Sequence, residues 1–543
     1  MELSLRLWLL YYGVIAQYLI PFSNADQQQQ HVVTSDSLSK PKQVAIIGAG
    51  AAGSSTAYAL RKYADQTSIP LNITVFERNS YIGGRSTTVD VFDDPSYPIE
   101  LGASIFVKVN TNLVNASRDL GLSIKSASDT RPKETDDTLG VWDGEQFLFI
   151  LKDTYSWWNV AKLIWRYGWA PVRTQNLMKS TVQKFMRLYE PPFFPFASLS
   201  SAAEAVGLLN STSTPGEVFL ADNDVSSDFA RDIIQASTRV NYGQNLPLIH
   251  GLEAIVCMAT DGAMAIDGGN WQIFDGMLRS SNSDVRVNQS VSAITRNNPD
   301  ETWTVKYQTS DATGTPNREQ SLSFDEVVIA GPLQYSDISI TPPLPHIPDD
   351  IPFVKLHVTL FSSPHRLSTK YFNSQNPPET ILTTLPPGTN LGSTQKGVGP
   401  AGFWSISTLR TVNAPDSAET HYVYKIFSPE QVTAEFLGNI LGLNDTDAHT
   451  AADTHIGDLP KHDISWYHEK IWRPYPYLYP RVTFEEPVLA PNLWYTGGIE
   501  SFISTMETSA LMGKNVAALI AQSWEVQDEV MLGDDPVLDR TEL

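Results

Sequence analysis

The segment QVAIIGAGAAG, residues 43–53, decides the fold of this chain. Its first half is a short apolar run rich in β-branched residues, which predicts a β-strand. Its second half is a glycine-rich turn, and the following SSTAYALRKYA predicts a helix that Ala52 and its neighbours begin. Gly48 permits a tight turn, Gly50 lets the backbone approach a pyrophosphate, and Gly53 lets the helix pack close to the strand.

A second predicted strand, LNITVFE at residues 71–77, follows the helix and ends in Glu77. Strand, glycine turn, helix and strand in this order form the opening unit of a parallel, nucleotide-binding sheet. The helix N-terminus offers free N–H groups and a partial positive charge to a phosphate. The Glu77 carboxylate can accept hydrogen bonds from both hydroxyls of an adenosine ribose. The chain is therefore predicted to bind a dinucleotide.

The composition is that of a folded, acidic protein. The chain has 543 residues, of which 42% are hydrophobic and 18% are charged, and its formal net charge at pH 7 is −22. This length suggests about three or four structural units and provides ample material for a core. So large a negative charge argues against binding nucleic acid, or an anionic membrane, through a basic surface.

Cys257 is the single cysteine of the chain. An intrachain disulfide is therefore impossible, and so is a zinc or iron–sulfur site built from cysteines. Because Cys257 lies in the apolar run LEAIVCMA, we expect a buried small side chain there. No metal-ligand spacing is recognisable in the sequence, which predicts no metal site.

The first 25 residues differ from the rest of the chain. Arg6 precedes an apolar run that ends before Pro21, and small residues follow, a pattern typical of a secretory signal peptide over residues 1–25. The polar residues 26–40 are predicted to form a flexible arm. We expect a location in the secretory pathway, either secreted or in a vacuolar or lysosomal lumen. Five sequons fit this expectation as glycosylation sites: Asn72, Asn115, Asn210, Asn288 and Asn444.

A second glycine-rich segment bears on which dinucleotide is bound. Arg78 follows the second strand, and the pair Gly83-Gly84 precedes Arg85, whose planar fork can bind phosphate oxygens in pairs. The segment ELGAS offers another close approach of the backbone, at Gly102 and Ala103. This series resembles the flavoprotein amine-oxidase superfamily, whose members hold FAD in this way. A simple NAD dehydrogenase does not need it.

Segments far along the chain complete this resemblance. FDEVVIAGP at residues 324–332 is similar to the strand that re-enters the FAD domain, and LWYTGGIE at residues 493–500 is similar to the final strand and its glycine turn. The last predicted helix would point its N-terminus at the pyrimidine end of the flavin, where its dipole stabilises the negative charge of the reduced form. The cofactor contacts implied by these segments and a nearby strand are Val291, Gly498, Glu500 and Met506.

A narrower resemblance is to the prenylcysteine oxidase (prenylcysteine lyase) family. It rests on RVNYGQ at residues 239–244, on IDGGN at residues 266–270, and on a C-terminal series that includes EKIW at 469–472 and METSA at 506–510. The resemblance implies an FAD-dependent thioether oxidase whose small lipophilic substrates are farnesyl- and geranylgeranyl-cysteine, with O₂ as electron acceptor. It also agrees with a glycosylated, luminal protein.

The reaction that the resemblance implies starts with hydride transfer from C1 of the prenyl group to the flavin. Water then adds, and the hemithioacetal collapses to cysteine and a prenyl aldehyde, while O₂ reoxidises the flavin and gives hydrogen peroxide. The substrate-side residues cannot be matched individually to the family. An FAD-dependent oxidase or cyclase of another terpenoid or prenylated metabolite therefore stays open, as does a carrier that keeps FAD only as structure.

Tyr242, His250 and Glu507 are the acid–base candidates, because a general base is useful for deprotonating the attacking water. Each of the last two has a structural alternative: His250 as a hydrogen-bonded core histidine, and Glu507 as a carboxylate that binds helix N–H groups. A prenyl chain needs a long apolar cavity, which the aromatic stretch at residues 157–169 could line. The same stretch could instead be core or face a membrane, and a peripheral membrane contact is sensible for a substrate that partitions into lipid.

The predicted fold class is α/β, with a GxGxxG-type, Rossmann-like FAD-binding domain interleaved with a mixed α+β substrate domain. Cofactor motifs at both ends of the chain require this interleaving. We assign the FAD-binding domain to residues 41–150, 241–335 and 486–530, the substrate domain to residues 151–240 and 336–485, and a C-terminal tail to residues 531–543.

Overall fold

A computed structural model describes residues 40–126, 138–152, 156–309, 319–389, 395–415, 419–443 and 454–533. The predicted signal peptide, the predicted arm up to residue 39, the sequon at Asn444 and most of the predicted C-terminal tail lie outside the described residues.

The strands of the described residues are numbered in chain order. They are β1 Lys42–Ile47, β2 Leu71–Phe76, β3 Thr88–Asp90, β4 Pro98–Glu100, β5 Ile124–Ser126, β6 Thr138–Trp142, β7 Phe147–Lys152, β8 Met264–Ile266, β9 Asp284–Arg286, β10 Gln289–Asn297, β11 Thr302–Thr309, β12 Gln320–Phe324, β13 Glu326–Ile329, β14 Ser339–Thr341, β15 Leu356–Ser363, β16 Thr380–Thr383, β17 Ser405–Asn413, β18 Thr420–Ser428, β19 Trp466–Trp472, β20 Val488–Ala490 and β21 Leu493–Tyr495.

The α-helices of the same residues are also numbered in chain order. They are α1 Ala51–Thr67, α2 Thr111–Asp119, α3 Ser156–Tyr167, α4 Ala170–Met186, α5 Leu199–Ala205, α6 Leu209–Ser213, α7 Gly216–Asp222, α8 Ser227–Phe229, α9 Gln235–Tyr242, α10 Gly251–Val256, α11 Trp271–Ser280, α12 Ala434–Leu441 and α13 Met506–Gly533. A π-helical turn, Ala230–Ile234, joins α8 to α9.

A six-stranded sheet carries the glycine-rich turn. Its strand order is β20-β21-β13-β1-β2-β9, and neighbours are parallel except for the antiparallel edge strand β20. The central strand β1 is fully buried at Val44, Ala45 and Ile46, as expected where helices or further strands cover both faces of a parallel sheet. Strands β2 and β13 pair with β1 on its two sides, so the carboxyl ends of β1 and β13 flank the crevice where open α/β sheets bind ligands.

The first and last helices, α1 and α13, pack tightly against each other. A Cβ on Gly513 of α13 would lie 2.2 Å from the Ala52 carbonyl oxygen of α1, so the packing depends on glycine at that position. The Ser55 hydroxyl of α1 also donates to the Ala510 carbonyl oxygen at 2.7 Å. These contacts connect the glycine turn near the start of the described chain with the helix at its end.

A seven-stranded sheet of order β19-β15-β18-β17-β16-β6-β7 forms the second large unit, and β15 within it is buried along its whole length. The hairpin β6–β7 joins the rest of this sheet through the parallel pairing of β6 with β16. The sequence-based division assigns residues 138–150 of this hairpin to the FAD-binding domain, whereas its backbone hydrogen bonds connect it with strands from the predicted substrate domain. A four-stranded sheet, β12-β11-β10-β14, shares its core with the six-stranded sheet through Phe76 and Trp303.

These sheets confirm the predicted fold class. The last helix that the sequence predicts corresponds to α13, Met506–Gly533. In the part of the chain that the structure describes, no helix combines the length and the apolar character needed to cross a bilayer.

Candidate cofactor and substrate site

The turn after β1 has two positions that only glycine can occupy. Gly48 has a φ of +112°, and a Cβ there would lie 2.8 Å from the Ala330 carbonyl oxygen beyond β13. A Cβ on Gly53 would lie 1.9 Å from the Gly48 carbonyl oxygen. Both positions therefore agree with the tight turn and the close helix packing predicted for them.

Gly50 and Gly84 face each other and form a narrow cradle. A Cβ on Gly84 would lie 3.3 Å from the Gly50 Cα, so side chains at these two positions would fill the gap. Gly50 is the N-cap of α1 and has no side chain to bond the N–H groups of its first turn, which includes Ala52. Two residues after Gly84, Ser86 is only 2% exposed, and its hydroxyl has no hydrogen-bond partner among the described residues.

Glu77 lies directly after β2 and is held beside the glycine turn. Its Oε2 accepts a hydrogen bond from the Ala49 N–H at 2.9 Å, and its Oε1 accepts one from the Asn79 N–H at 2.8 Å. The side chain is buried, so these hydrogen bonds fix the position of the carboxylate. Oε2 retains a lone pair that can accept from a ribose hydroxyl.

Arg85 and Glu500 form a two-point ion pair across most of the chain. Arg85 Nη1 lies 2.8 Å from Glu500 Oε2, and Nη2 lies 2.7 Å from Oε1. Both residues are predicted cofactor contacts, and the structure brings them together. The planar fork of Arg85 binds this carboxylate, whereas the sequence predicts that it binds the diphosphate. Arg78 also has a protein partner, since its Nη1 donates to the Tyr335 carbonyl oxygen at 3.0 Å.

The other predicted cofactor contacts lie in close-packed backbone. A Cβ on Gly102 would lie 2.9 Å from a tryptophan ring of β19, and one on Gly498 would lie 2.2 Å from the Glu485 carbonyl oxygen. Ala103 has a positive φ of 51°. Val291 is buried in β10, and β10 starts beside the end of β2. Together the glycine cradle, the unpartnered Ser86 hydroxyl and the Glu77 carboxylate fit the diphosphate and ribose of FAD.

An apolar cavity of about 180 Å³ lies beside the N-terminus of α13. Helices α4, α9 and α10, together with α2 and the loop before it, supply the remaining walls. Met506 lines the cavity, and so does Cys257, which is buried as the sequence predicts. The apolar lining includes Phe106, Leu113, Val182, Phe185, Met186 and Ile503.

Tyr242 is buried in the wall of this cavity and connects it with the cofactor side. Its ring packs edge-on against Tyr475, with 5.2 Å between the ring centroids. Burial raises the pKa of Tyr475 to about 12, and the nearby Arg85 guanidinium lowers it in part. Tyr475 therefore lies in contact with a wall residue of the cavity and within electrostatic range of Arg85.

Glu253, on α10, is a buried carboxyl that sequence reasoning missed. Burial raises the pKa of Glu253 to about 8, while contacts with the Tyr242 hydroxyl and the Ser504 amide lower it in part. Neither contact has full hydrogen-bond geometry, and both carboxyl oxygens are otherwise unpartnered within the described residues. The signal in the sequence is a single carboxylate inside the apolar run LEAIVCMA. The neutral form predominates at pH 7, so Glu253 can hold a proton behind Tyr242.

His250 is a hydrogen-bonded core histidine, which is the structural alternative to an acid–base role. It is the N-cap of α10: its Nδ1 accepts from the Glu253 N–H at 3.2 Å, and its Nε2 lies 3.3 Å from the Ser501 carbonyl oxygen. Burial lowers the pKa of His250 to about 4, so the ring is neutral and donates through Nε2. Both ring nitrogens have hydrogen-bond partners and His250 is not among the residues that line this cavity, which favours its structural alternative over an acid–base role.

Glu507 lies in the cavity wall, yet both of its oxygens bind backbone. They accept hydrogen bonds from the N–H groups of Asn112 and Leu113 at 3.0 Å each, at the start of α2. Burial raises the pKa of Glu507 to about 7, and these N–H groups oppose that rise. The carboxylate therefore connects α13 with α2, which is the structural alternative stated above for this residue.

Among the described side chains of the aromatic stretch before α4, none lines the cavity, and the side chains of Trp157 and Trp158 lie outside the described residues. Trp165 is 91% exposed and Trp169 is 66% exposed, whereas Tyr167 is buried and its hydroxyl donates to Asp232 Oδ2 at 2.8 Å. Lining of the prenyl site by these two tryptophans is thus a wrong prediction, because both side chains face solvent, and α4 instead contributes Val182, Phe185 and Met186 to the wall. In the described residues, no cluster of three or more His, Cys, Asp and Glu side chains could hold a metal ion.

The fold and this site define a flavin-dependent oxidoreductase with a Rossmann-like dinucleotide domain. Residues 46–120 match the model of the NAD(P)-binding Rossmann-like domain. The chain resembles the solved structure of cyclohexylamine oxidase from Brevibacterium oxydans, with a TM-score of 0.54 and 18% identity over 90% of this chain and 100% of that one.

Residues 150–534 match the prenylcysteine lyase family, so the chain belongs to that family. Prenylcysteine oxidase 1 of Rattus norvegicus is 28% identical, over 91% of this chain and 92% of its own length. Farnesylcysteine lyase of Arabidopsis thaliana is 26% identical, over 91% of both chains. The resemblance inferred from the sequence is confirmed.

Proposed function

We propose that this protein is an FAD-dependent thioether oxidase that cleaves farnesyl- or geranylgeranyl-cysteine. Prenyl thioether, water and O₂ would give prenyl aldehyde, free cysteine and hydrogen peroxide. The observation that carries the proposal is the apolar cavity at the N-terminus of α13, whose wall residue Tyr242 packs against Tyr475 near Arg85. Family membership and relatives named for this activity support the same conclusion.

Bound FAD would accept the hydride, and the residues of this chain would orient the substrate and control protons. The apolar wall, including Phe106 and Phe185, suits an isoprenoid chain and keeps bulk water away from the reacting carbon. Glu77 and the Gly50–Gly84 cradle would hold the ribose and the diphosphate.

The collapse of the hemithioacetal requires a proton donor for the departing sulfur, because an alkyl thiolate is a poor leaving group in an apolar site. The protonated Glu253 carboxyl can supply this proton through the hydroxyl of Tyr242, a residue of the cavity wall. Tyr242 would be the catalytic residue, and Glu253 would act through it. Activity should therefore fall as the pH rises through about 8, where the Glu253 carboxyl ionises.

The proposed location is the secretory pathway, with secretion or a vacuolar or lysosomal lumen as the destination. Asn72, Asn115 and Asn210 are exposed, and Asn288 is half-buried, so the described sequons are accessible to different degrees. Loss of mass on treatment with an N-glycosidase, for protein purified from a eukaryotic host, is the expected result. A protein with no glycan at any of these positions would contradict this location.

The test of the reaction is anaerobic mixing of the purified flavoprotein with S-farnesyl-L-cysteine. The oxidised flavin absorbance should disappear with about one equivalent each of cysteine and farnesal per flavin, and admission of O₂ should give hydrogen peroxide and further turnover with the three products in equal amounts. The matched control is a cysteine thioether with a saturated chain of the same length, which lacks the allylic double bond that stabilises positive charge at C1 and should leave the flavin oxidised.

A flavin that stays oxidised with both farnesyl- and geranylgeranyl-cysteine would refute the proposal. Reduction by a different isoprenoid in the same assay would favour the alternative, an oxidase or cyclase of another lipophilic metabolite. The apolar lining of the cavity suits an isoprenoid chain whether or not a cysteine is attached to it, so the lining alone does not separate the two substrates.

A further inference from the structure

Helices α3 and α4 have one face in the core and one face in solvent. Their inner face includes the buried Leu163 and Tyr167 of α3 and Phe185 of α4. Their outer side carries Trp165 and Trp169, two large apolar side chains close to each other in the chain and both mostly exposed. Two exposed tryptophans four residues apart, one on α3 and one at the turn into α4, mark an interaction surface rather than ordinary surface variation.

The same segment has a charge opposite to that of the whole protein. Residues 154–189 contain six basic residues and no Asp or Glu, in a chain with 38 basic and 60 acidic residues. Arg166 is paired with Asp232 at 3.2 Å and contributes little net charge. The other five are all exposed: Lys162, Arg173, Lys179, Lys184 and Arg187.

The cations flank the tryptophans. Lys162 lies one helical turn before Trp165 on α3, and Arg173 lies one turn after Trp169, which is the N-cap of α4. We define these four residues as the tryptophan face. Aromatic rings that prefer the headgroup region, placed between basic side chains, are typical of helices that lie in a membrane interface.

We propose that the tryptophan face docks this protein on the surface of an anionic lipid bilayer. Lys162 and Arg173 would contact lipid phosphates while Trp165 and Trp169 enter the headgroup region. The net charge of −22 does not prevent this, because salt screens charges beyond about 10 Å and local charges decide a surface contact. The net charge of the whole chain argues against a basic membrane-binding surface, whereas the local charge of residues 154–189 favours one.

Docking would place the cavity close to lipid. Helix α4, which the tryptophan face precedes and overlaps, supplies Val182, Phe185 and Met186 to the cavity wall from its inner side. A lipophilic substrate dissolved in the bilayer would then reach the cavity along α4. This consequence rests on the proposed function, whereas docking itself does not.

The test is co-flotation of the full flavoprotein, without substrate, with vesicles of phosphatidylcholine alone or of phosphatidylcholine with about one-third phosphatidylserine. We expect binding to the anionic vesicles that weakens with added salt. The double variant Trp165→Ser/Trp169→Ser should bind at least about tenfold more weakly, and Lys162→Glu should bind roughly fivefold more weakly.

The matched control is Ile347→Ser/Val482→Ser, which removes two exposed apolar side chains from other segments and should bind like the wild type. Equal binding of the wild type and the double tryptophan variant would overturn the proposal, as would no binding to either vesicle. A double variant that loses self-association or a protein partner, with no change in flotation, would identify a protein interface instead. Flavin reduction by substrate in detergent-free solution is measured separately, so either proposal can fail alone.

Discussion

Replacement of Glu253 by Gln should make the protein more stable at neutral pH and less active. Glu253 is fully buried, and burial raises its pKa from 4.5 to about 8. A carboxyl with a raised pKa destabilises the folded state as the pH rises from about 4.5 to about 8, because the unfolded chain ionises first. At about 1.4 kcal/mol per pH unit, the cost at pH 7 is about 3 kcal/mol, and at pH 5 it is below about 1 kcal/mol.

The amide in Glu253→Gln has the same shape and cannot ionise, so the variant avoids this cost. With an unfolding entropy of about 2 cal/mol/K per residue, the gain corresponds to a rise of roughly 3 °C in melting temperature at pH 7, and to less than about 1 °C at pH 5. The turnover number should fall at least about tenfold, since the amide cannot donate a proton, while flavin content stays unchanged.

The assay is thermal unfolding of wild type and variant between pH 5 and pH 8, followed by flavin fluorescence and by circular dichroism. The control is Glu145→Gln, which removes an exposed carboxylate and should give no pH-dependent gain. A melting difference for Glu253→Gln that is the same at pH 5 and pH 8 would refute the reasoning about burial. Unchanged turnover would refute the proton-donor role alone.

Three further substitutions test the site. Gly53→Ala places a Cβ 1.9 Å from the Gly48 carbonyl oxygen, so the purified variant should carry little or no flavin, as measured by visible absorbance relative to protein. Glu500→Gln weakens the ion pair with Arg85 and should lower FAD affinity about tenfold in flavin-release titrations; unchanged affinity would show that the pair does not organise the cofactor site. His250→Ala removes the N-cap of α10 and should destabilise the protein by about 1 kcal/mol or more, with turnover per bound flavin within about twofold of wild type; a larger loss of turnover would restore His250 as an acid–base candidate.

The cofactor half of the site could be predicted because its determinants are local. Gly48, Gly53 and Glu77 belong to one strand–turn–helix–strand unit, and the steric need for glycine follows from backbone geometry within that unit. The apolar strands and helices follow in the same way from patterns a few residues long. The fold class, the FAD site and the family could therefore be inferred before any coordinates.

Tertiary structure decided the roles that depend on contacts between distant segments. Arg85 meets Glu500 only because the first and last parts of the chain share one sheet, and Glu507 binds the start of α2 for the same reason. Whether His250 is structural, whether Trp165 faces solvent, and whether Glu253 is buried behind Tyr242 all depend on which elements pack against each helix. The amino-acid sequence by itself determined the dinucleotide fold, because that signal is short-range, whereas the substrate cavity and its proton donor arise only when segments far apart in the chain come together.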